Sequence, residues 1–283
     1  MVHFGEQVRR YYDENTRLFL SLGQGTEGTI HRAIWGPGVT DRGAAMAYVD
    51  ALVMEQLRSV QGTAGRALRV ADLGCGVCAS LCRIAKQLPI EGLGITISPK
   101  QVELAERRIE AAGYSGSIRC VLGDFCDLPH GLSPVDLAFG IESFVHAPDA
   151  RAFFENCARL VRPGGYLVVC DDLLGGAQYR NHPRARGWIE RFQKGWFARN
   201  LLAEDEATRL AEAAGFEHVE TRDLTSYVEL RRPRDYLIGA LMRSLGWLPI
   251  KGSYWGMLYG GHAGQLCLER GWIKHLFVVW QRT

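Results

Sequence analysis

The chain has 283 residues, and its 33 Lys and Arg against 31 Asp and Glu leave a formal net charge of +2. That near-neutral balance argues against a nucleic-acid binder held by bulk electrostatics, while the length is enough to bury a sizeable core in one large domain or two small ones. A mean hydropathy of −0.08 with 23% charged residues is ordinary for a soluble globular protein. The aromatic residues are unevenly spread, because six of the seven Trp lie after residue 185.

The first twenty residues, MVHFGEQVRRYYDENTRLFL, hold no apolar run bounded by a cleavage site, so they do not read as a secretory leader. No stretch approaches the roughly 18 consecutive apolar residues of a membrane helix. The longest candidate, at 237–250, is interrupted by Arg243, Gly246 and Pro249. A cytoplasmic protein with reduced thiols is therefore expected. Cys75, Cys78 and Cys82 are spaced C-x2-C-x3-C, but two of them stand in a glycine-rich turn that needs small residues. They read as small buried side chains, and no metal is expected.

In chain order, helical spacing over 5–20 and 42–60 flanks a Gly-rich loop at 21–41. From residue 68 short apolar runs alternate with helices. Strands are predicted at 68–74, 92–98, 117–124, 135–143 and 164–172, and helices at 78–88, 99–113 and 149–161. Pro99 suits a first helical turn and Gly113 a helix end. Two closing strands are predicted at 216–224 and 273–281. Repeated strand–helix units require a parallel sheet covered on both faces. The predicted fold is α/β: a Rossmann-like, seven-stranded, mostly parallel sheet with helices on both faces, plus N-terminal helices and lid insertions. The chain divides into an N-terminal helical cap (1–64), a cofactor-binding core (65–172), and lid segments with closing strands (173–283). The lids, 173–200 and 225–272, follow the fifth and sixth strands, on the side where such sheets bind ligands.

The strongest local signal is VADLGCGVC (70–78), a strand running into a glycine turn that opens a helix. Gly74 and Gly76 let the backbone approach a ligand, and Asp72 ends the strand. With Ala79 the turn also satisfies the G-x-G-x-x-A form of dinucleotide-binding folds. Three features favour S-adenosylmethionine over NAD. Asp72 stands two residues before the first glycine, a Gly-Asp-Phe at 123–125 is placed to reach an adenine amino group, and an RPGG turn (162–165) precedes the fifth strand. The acid that would bind a ribose at the end of the second strand is replaced by Thr96.

DLGCG, GITISPKQ, GDFCDLP and LVRPGGYLV together resemble the core of a class I S-adenosylmethionine-dependent methyltransferase over residues 65–172. GITISPKQ is further similar to the branch holding tocopherol, sterol, cyclopropane-forming and prenyl-diphosphate C-methyltransferases. The resemblance implies that Tyr12, beside Asp13, closes over the cofactor. By the same likeness Gly74 and Gly76 approach the methionine part, Thr96 and Gln101 lie near the ribose, and Asp124 and Phe125 lie near the adenine.

The segment IESFVH (141–146) follows the fourth strand, which delivers residues to the transferring methyl in this fold. Ile141 is counted with the cofactor site, and Glu142 and His146 are the candidate catalytic residues. An alkene acceptor becomes a carbocation on methylation, which Glu142 could steady and deprotonate. A phenol or amine acceptor needs only a base, which His146 could supply.

His31 and Trp35, in IHRAIW, read as acceptor-pocket residues by the same likeness. Residues 180–199 carry six Lys or Arg against the single acid Glu190, interleaved with Trp188, Phe192, Trp196 and Phe197. Three uses are open: Arg184 and Arg186 gripping a substrate diphosphate, with Mg2+ if so; a homo-oligomer interface; or a solvated helix face with its aromatic side in the core. Trp188, Tyr227 and Trp255 are expected to wall an apolar acceptor cavity. The expected activity is methylation of a small apolar metabolite, foremost C-methylation of an isoprenoid. O- or N-methylation of an aromatic product, or a cyclisation by a cofactor-binding relative, are the alternatives. Nucleic acid and membrane insertion are not expected.

Overall fold

The computed structural model describes residues 4–21, 31–64, 66–230, 232, 235–240 and 253–283. Seven strands form one sheet: β1 (Leu68–Leu73), β2 (Ile90–Thr96), β3 (Ile118–Leu122), β4 (Val135–Ile141), β5 (Val161–Leu174), β6 (Phe216–Asp223) and β7 (Ile273–Arg282), in the spatial order β3-β2-β1-β4-β5-β7-β6. β1 to β5 run parallel, and β7 inserts antiparallel between β5 and β6. Neighbouring residues of each strand serve opposite faces. Val70, Phe139, Val168 and Phe277 face one core cluster, whereas Ala71, Ala138, Val169 and Val278 face the other. The central strands are apolar on both sides, as a covered parallel sheet requires.

Helices α1 (Phe4–Ser21), α2 (Arg42–Ala64), α3 (Ala79–Ala85), α4 (Pro99–Ala111), α5 (Ala150–Leu160), α6 (Arg186–Trp196) and α7 (Glu204–Ala213) precede a final helix, Ser253–Glu269. Pro99 opens α4, where Ser98 caps the amide of Gln101 at 3.1 Å. Asp149 caps α5 through the amide of Ala152. α2, grouped in the sequence with α1 over residues 1–64, packs on α3, β1 and β4 and buries Val49, Val53 and Leu57. α1 instead lies against α4.

The RPGG segment, read from sequence as a turn before the fifth strand, lies inside β5. Val135 pairs with Val161, then Leu137 with Tyr166, so the extra residues bulge out of the ladder. The cause is the fully buried Asp136, whose carboxylate accepts from Arg66, Arg162 and the amide of Arg69. A buried carboxylate needs such partners, and the bulge lets Arg162 reach it.

The two predicted lids meet as a helix pair. α6 packs on the final helix so tightly that a β-carbon on Gly195 would fall on the backbone of Gly256 and Gly260. No helix among the described residues is long and apolar enough to cross a membrane.

Candidate active site

The strand order reverses between β1 and β4, and ligands of such sheets bind in the crevice beyond the carboxyl ends there. Leaving β1, the chain turns sharply, with positive φ at Gly74 (85°), Gly76 (53°) and Cys78 (56°). The amides of Gly74 and Cys75 both donate to the carbonyl of Ile95, tying this turn to β2. Ser143, from the loop after β4, donates its hydroxyl to the Leu73 carbonyl at 2.6 Å. A β-carbon on Gly74 would lie 2.5 Å from the Ser143 β-carbon. Glycine is thus required here twice, by conformation and by space. Gly74→Ala is expected to cost about 1–3 kcal/mol at this turn, seen as a lower melting temperature and weaker binding of S-adenosylhomocysteine in calorimetry. Unaltered binding would mean that the turn does not hold the cofactor.

Asp72 is buried, and burial, with the nearby Asp50 adding to it, pushes its carboxyl well above the usual range. At the end of β2, Thr96 donates to the Gln101 side chain at 2.6 Å, and Gln101 reaches Thr16 of α1 at 3.3 Å. Asp13 accepts from Ser98 at 2.5 Å. Beyond β3, Asp124 accepts from the amide of Cys126, and the Phe125 ring stands edge-on to Phe153 at 5.6 Å. Glycine turn, polar pair and aromatic ring therefore line one carboxyl edge. A ligand with a charged head, a hydroxylated sugar and a flat base would find groups of matching chemistry in that row.

Ile141 ends β4, half-buried, and the next residue, Glu142, adopts φ 49°, a left-handed conformation that a side chain other than glycine rarely takes. Such strain clusters where a site over-determines the backbone. The Glu142 carboxylate accepts from the amide of Arg32 at 2.7 Å, and the Arg32 guanidinium makes a two-pronged bond to Asp172 at 2.5 and 2.8 Å. Asp172 also bonds His275 Nδ1 at 2.9 Å. Burial alone would raise the Asp172 carboxyl, but Arg32 and His275 outweigh it and hold it below the usual carboxylate range. Its neighbour Asp171 forms no ion pair among the described residues. Burial, with the charge of Asp172 adding to it, raises Asp171 to about 7. Asp171 accepts from the amides of Val145 and Asp172.

His146 lies on a short 3-10 turn, Phe144–His146. Its Nδ1 is 3.2 Å from the carbonyl of Phe197 and its Nε2 is 2.9 Å from the hydroxyl of Tyr12. A carbonyl only accepts, so Nδ1 carries the hydrogen and Nε2 presents its lone pair to the Tyr12 hydroxyl. Burial lowers the His146 pKa below its ordinary value. It also pushes the Tyr12 phenol above its own, so Tyr12 stays protonated.

His31 and Trp35 are next to this network in sequence. Both hold a buried ring nitrogen, His31 Nε2 and Trp35 Nε1, with no hydrogen-bond partner among the described residues. Tyr227 accepts from the amide of Trp35 at 2.8 Å and is half-buried. Trp188 is half-buried between the Arg191 guanidinium and the His262 ring. Arg184 and Arg186 are exposed, and Arg186 pairs with Glu190 along the same helix. α6 turns Ile189 and Phe192 into the core and leaves Arg186, Glu190, Arg191 and Lys194 exposed. Trp255 lies on the final helix with its side chain outside the described residues.

Arg32, Ser143, Asp171, Asp172 and His275 escaped the sequence reading. Two adjacent acids at the carboxyl end of an apolar strand were the available signal for the Asp pair. Nothing local marks Arg32 or His275, which reach Asp172 across 140 and 103 residues of chain.

A reversed strand order, a strained glycine turn and convergent polar groups at one sheet edge define a nucleotide-cofactor enzyme of the Rossmann-like class. Residues 71–169 match the family model described as a methyltransferase domain. The O-methyltransferase rstn1 of Aspergillus nomiae is 30% identical, over 77% of this chain and 92% of that protein. The sterol 24-C-methyltransferase erg6 of Aspergillus fumigatus is 28% identical, over 77% of this chain and 55% of that one. Among solved structures, a geranyl diphosphate methyltransferase superposes with a TM-score of 0.71 at 18% identity, covering 99% of both chains. The chain belongs to the class I S-adenosylmethionine-dependent methyltransferases.

Proposed function

We propose that this methyltransferase O-methylates a hydroxyl of a small apolar metabolite, with His146 as general base. The observation that carries this reading is the His146 geometry: Nδ1 is anchored on the Phe197 carbonyl, so Nε2 is the basic nitrogen, and it already receives a hydroxyl, that of Tyr12, at 2.9 Å. An acceptor hydroxyl that takes the place of the Tyr12 hydroxyl at that nitrogen would lose its proton there as the oxygen attacks. S-adenosylmethionine supplies a sulfonium methyl for in-line displacement, and the residues around it supply position. On this reading Gly74 and Gly76, with Asp72 behind them, seat the methionine part. Thr96 and Gln101 lie by the ribose, and Asp124 and Phe125 by the adenine. Ile141 sits at the transferring methyl and Tyr12 closes the site. His31 and Trp35, whose buried ring nitrogens have no partner among the described residues, would offer polar contacts to the acceptor, with Tyr227 and Trp188 as aromatic walls. The 30%-identical relative named as an O-methyltransferase supports the reading.

C-methylation is the second reading. It is supported by the sterol C-methyltransferase relative and by Glu142, an acid held on a left-handed backbone at the end of β4. One oxygen of the Glu142 carboxylate is already taken up by the Arg32 amide, which favours the first reading. Arg184 and Arg186 are both exposed, so a diphosphate grip with Mg2+ draws no support from burial at these residues. Incubation with 13C-methyl cofactor and a panel of phenolic and prenylated acceptors tests both, read by NMR of the product. A methyl on oxygen is expected, and a methyl on carbon would overturn the proposal in favour of the second reading.

A further inference from the structure

Three cysteines from separate segments meet beneath the glycine turn. Cys75 and Cys78 belong to the turn, Cys120 to β3, and their sulfurs all lie within 4.8 Å of one another. Cys82, the third member of the sequence spacing, is not part of the group. Gly94 makes the room. It pairs in register with Cys120, and a β-carbon there would lie 2.8 Å from the Cys75 sulfur and collide with that of Cys78. Cys75 and Cys78 are buried, but Cys120 is half-buried on the edge strand, between the exposed Arg119 and the half-buried Val121. The sulfurs of Cys75 and Cys120 are 3.7 Å apart, in hydrogen-bond contact.

We propose that Cys120 is an oxidation site for hydroperoxides, resolved by Cys75 into a disulfide that loosens the cofactor turn. An accessible thiol beside a second thiol is the arrangement that redox-sensing proteins use. Hydrogen bonds from Cys75 and Cys78 lower the Cys120 pKa, which favours Cys120 as the attacking thiol of the three. The Cys120 thiolate attacks one peroxide oxygen and the O–O bond breaks. Sulfur is oxidised to the sulfenic acid, and the peroxide is reduced and leaves as hydroxide or alkoxide. The Cys75 sulfur then attacks that of Cys120. The S–S bond forms, the S–O bond breaks, and the departing hydroxide takes the Cys75 proton as water. Closing 3.7 Å to a bond of about 2.05 Å must draw Cys75 toward β3. Cys75 lies between Gly74 and Gly76, both at positive φ, and the space for a β-carbon at Gly74 is taken by Ser143. A pull on Cys75 is therefore a pull on the cofactor turn itself.

The test uses the reduced full-length protein with hydrogen peroxide. Mass spectrometry of the unreduced digest should show one peptide pair joined at Cys75 and Cys120. Affinity for S-adenosylhomocysteine should fall about tenfold and return with dithiothreitol. Cys120→Ser should form no such link and keep its affinity in peroxide. Cys75→Ala should leave a Cys120 sulfenic acid that dimedone traps. Absence of the linked pair in wild-type protein would overturn the proposal. So would one equivalent of tightly held zinc that shields the three thiols from peroxide. The consequence for the cofactor rests on the turn being its seat. A disulfide that forms with affinity unchanged would overturn that consequence, and binding by the reduced protein shows separately whether the seat is intact.

Discussion

His146→Ala should lower kcat/KM by about 10²–10⁴-fold while leaving S-adenosylhomocysteine affinity intact, because general-base catalysis contributes on that scale and the imidazole acts on the acceptor proton. The pH profile provides the sharper test. The base works neutral, so the rate rises with pH as His146 loses its proton. Burial lowers that pKa below the usual imidazole value, so the midpoint of the wild-type acidic limb should lie below that of a free imidazole. In His146→Ala this acidic limb should vanish. A limb that survives the substitution belongs to another group. Asp171, raised to about 7 by burial and by Asp172, is the first to examine. The two are separable by Asp171→Asn, which would move a limb owned by Asp171 and leave one owned by His146. A loss under tenfold in His146→Ala would remove the base role altogether.

Asp172→Ala should be the most damaging change for stability. It strands the Arg32 guanidinium, a quarter exposed, and the fully buried His275, both of which Asp172 now satisfies. Removing one partner of a buried ion pair costs about 3–5 kcal/mol, and the partial exposure of Arg32 argues for the lower end. Thermal melting should fall by several degrees or more, since 1 kcal/mol is worth about 2–4 °C in a domain of roughly this size. A near-unchanged melting point would show that water replaces the carboxylate. Asp172→Asn keeps the shape and should lose less. Because the folded carboxyl titrates below its unfolded value, its contribution is present above about pH 4 and lost as pH falls through the folded pKa. The variant should therefore show a shallower acid-unfolding profile than the wild type. Activity should fall with stability, because Arg32 holds Glu142 by its amide as well as Asp172 by its side chain.

The sheet and the cofactor turn were legible in the amino-acid order because both rest on local rules. Apolar runs of strand length, the Pro99 start, and the Gly74 and Gly76 turn are statements about neighbours in the chain, and each strand formed within a few residues of its expected span. Where the reading missed, a distant partner intervened. The RPGG turn became a bulge in β5 because buried Asp136 draws in Arg162 as well as Arg66. The basic run at 180–199 was legible as charge, but not as a face. Only the packing of α6 on the final helix through Gly195 and Gly260 decides that Arg184 and Arg186 look outward.

The sequence by itself determined the class of chemistry. DLGCG and GDF specify a turn and a ring at the ends of the first and third strands, and a parallel sheet follows from the alternation of strands and helices. The tertiary structure alone decided which side chains share a chamber. Arg32, Asp172 and His275 come from the first loop and the fifth and seventh strands, and His146 meets Tyr12 across 134 residues of chain. No spacing encodes those meetings, because they depend on where a buried charge finds its counter-charge once the sheet has closed. The same holds for the thiols: the sequence groups Cys82 with Cys75 and Cys78, and the parallel pairing of β2 with β3 puts Cys120 there instead.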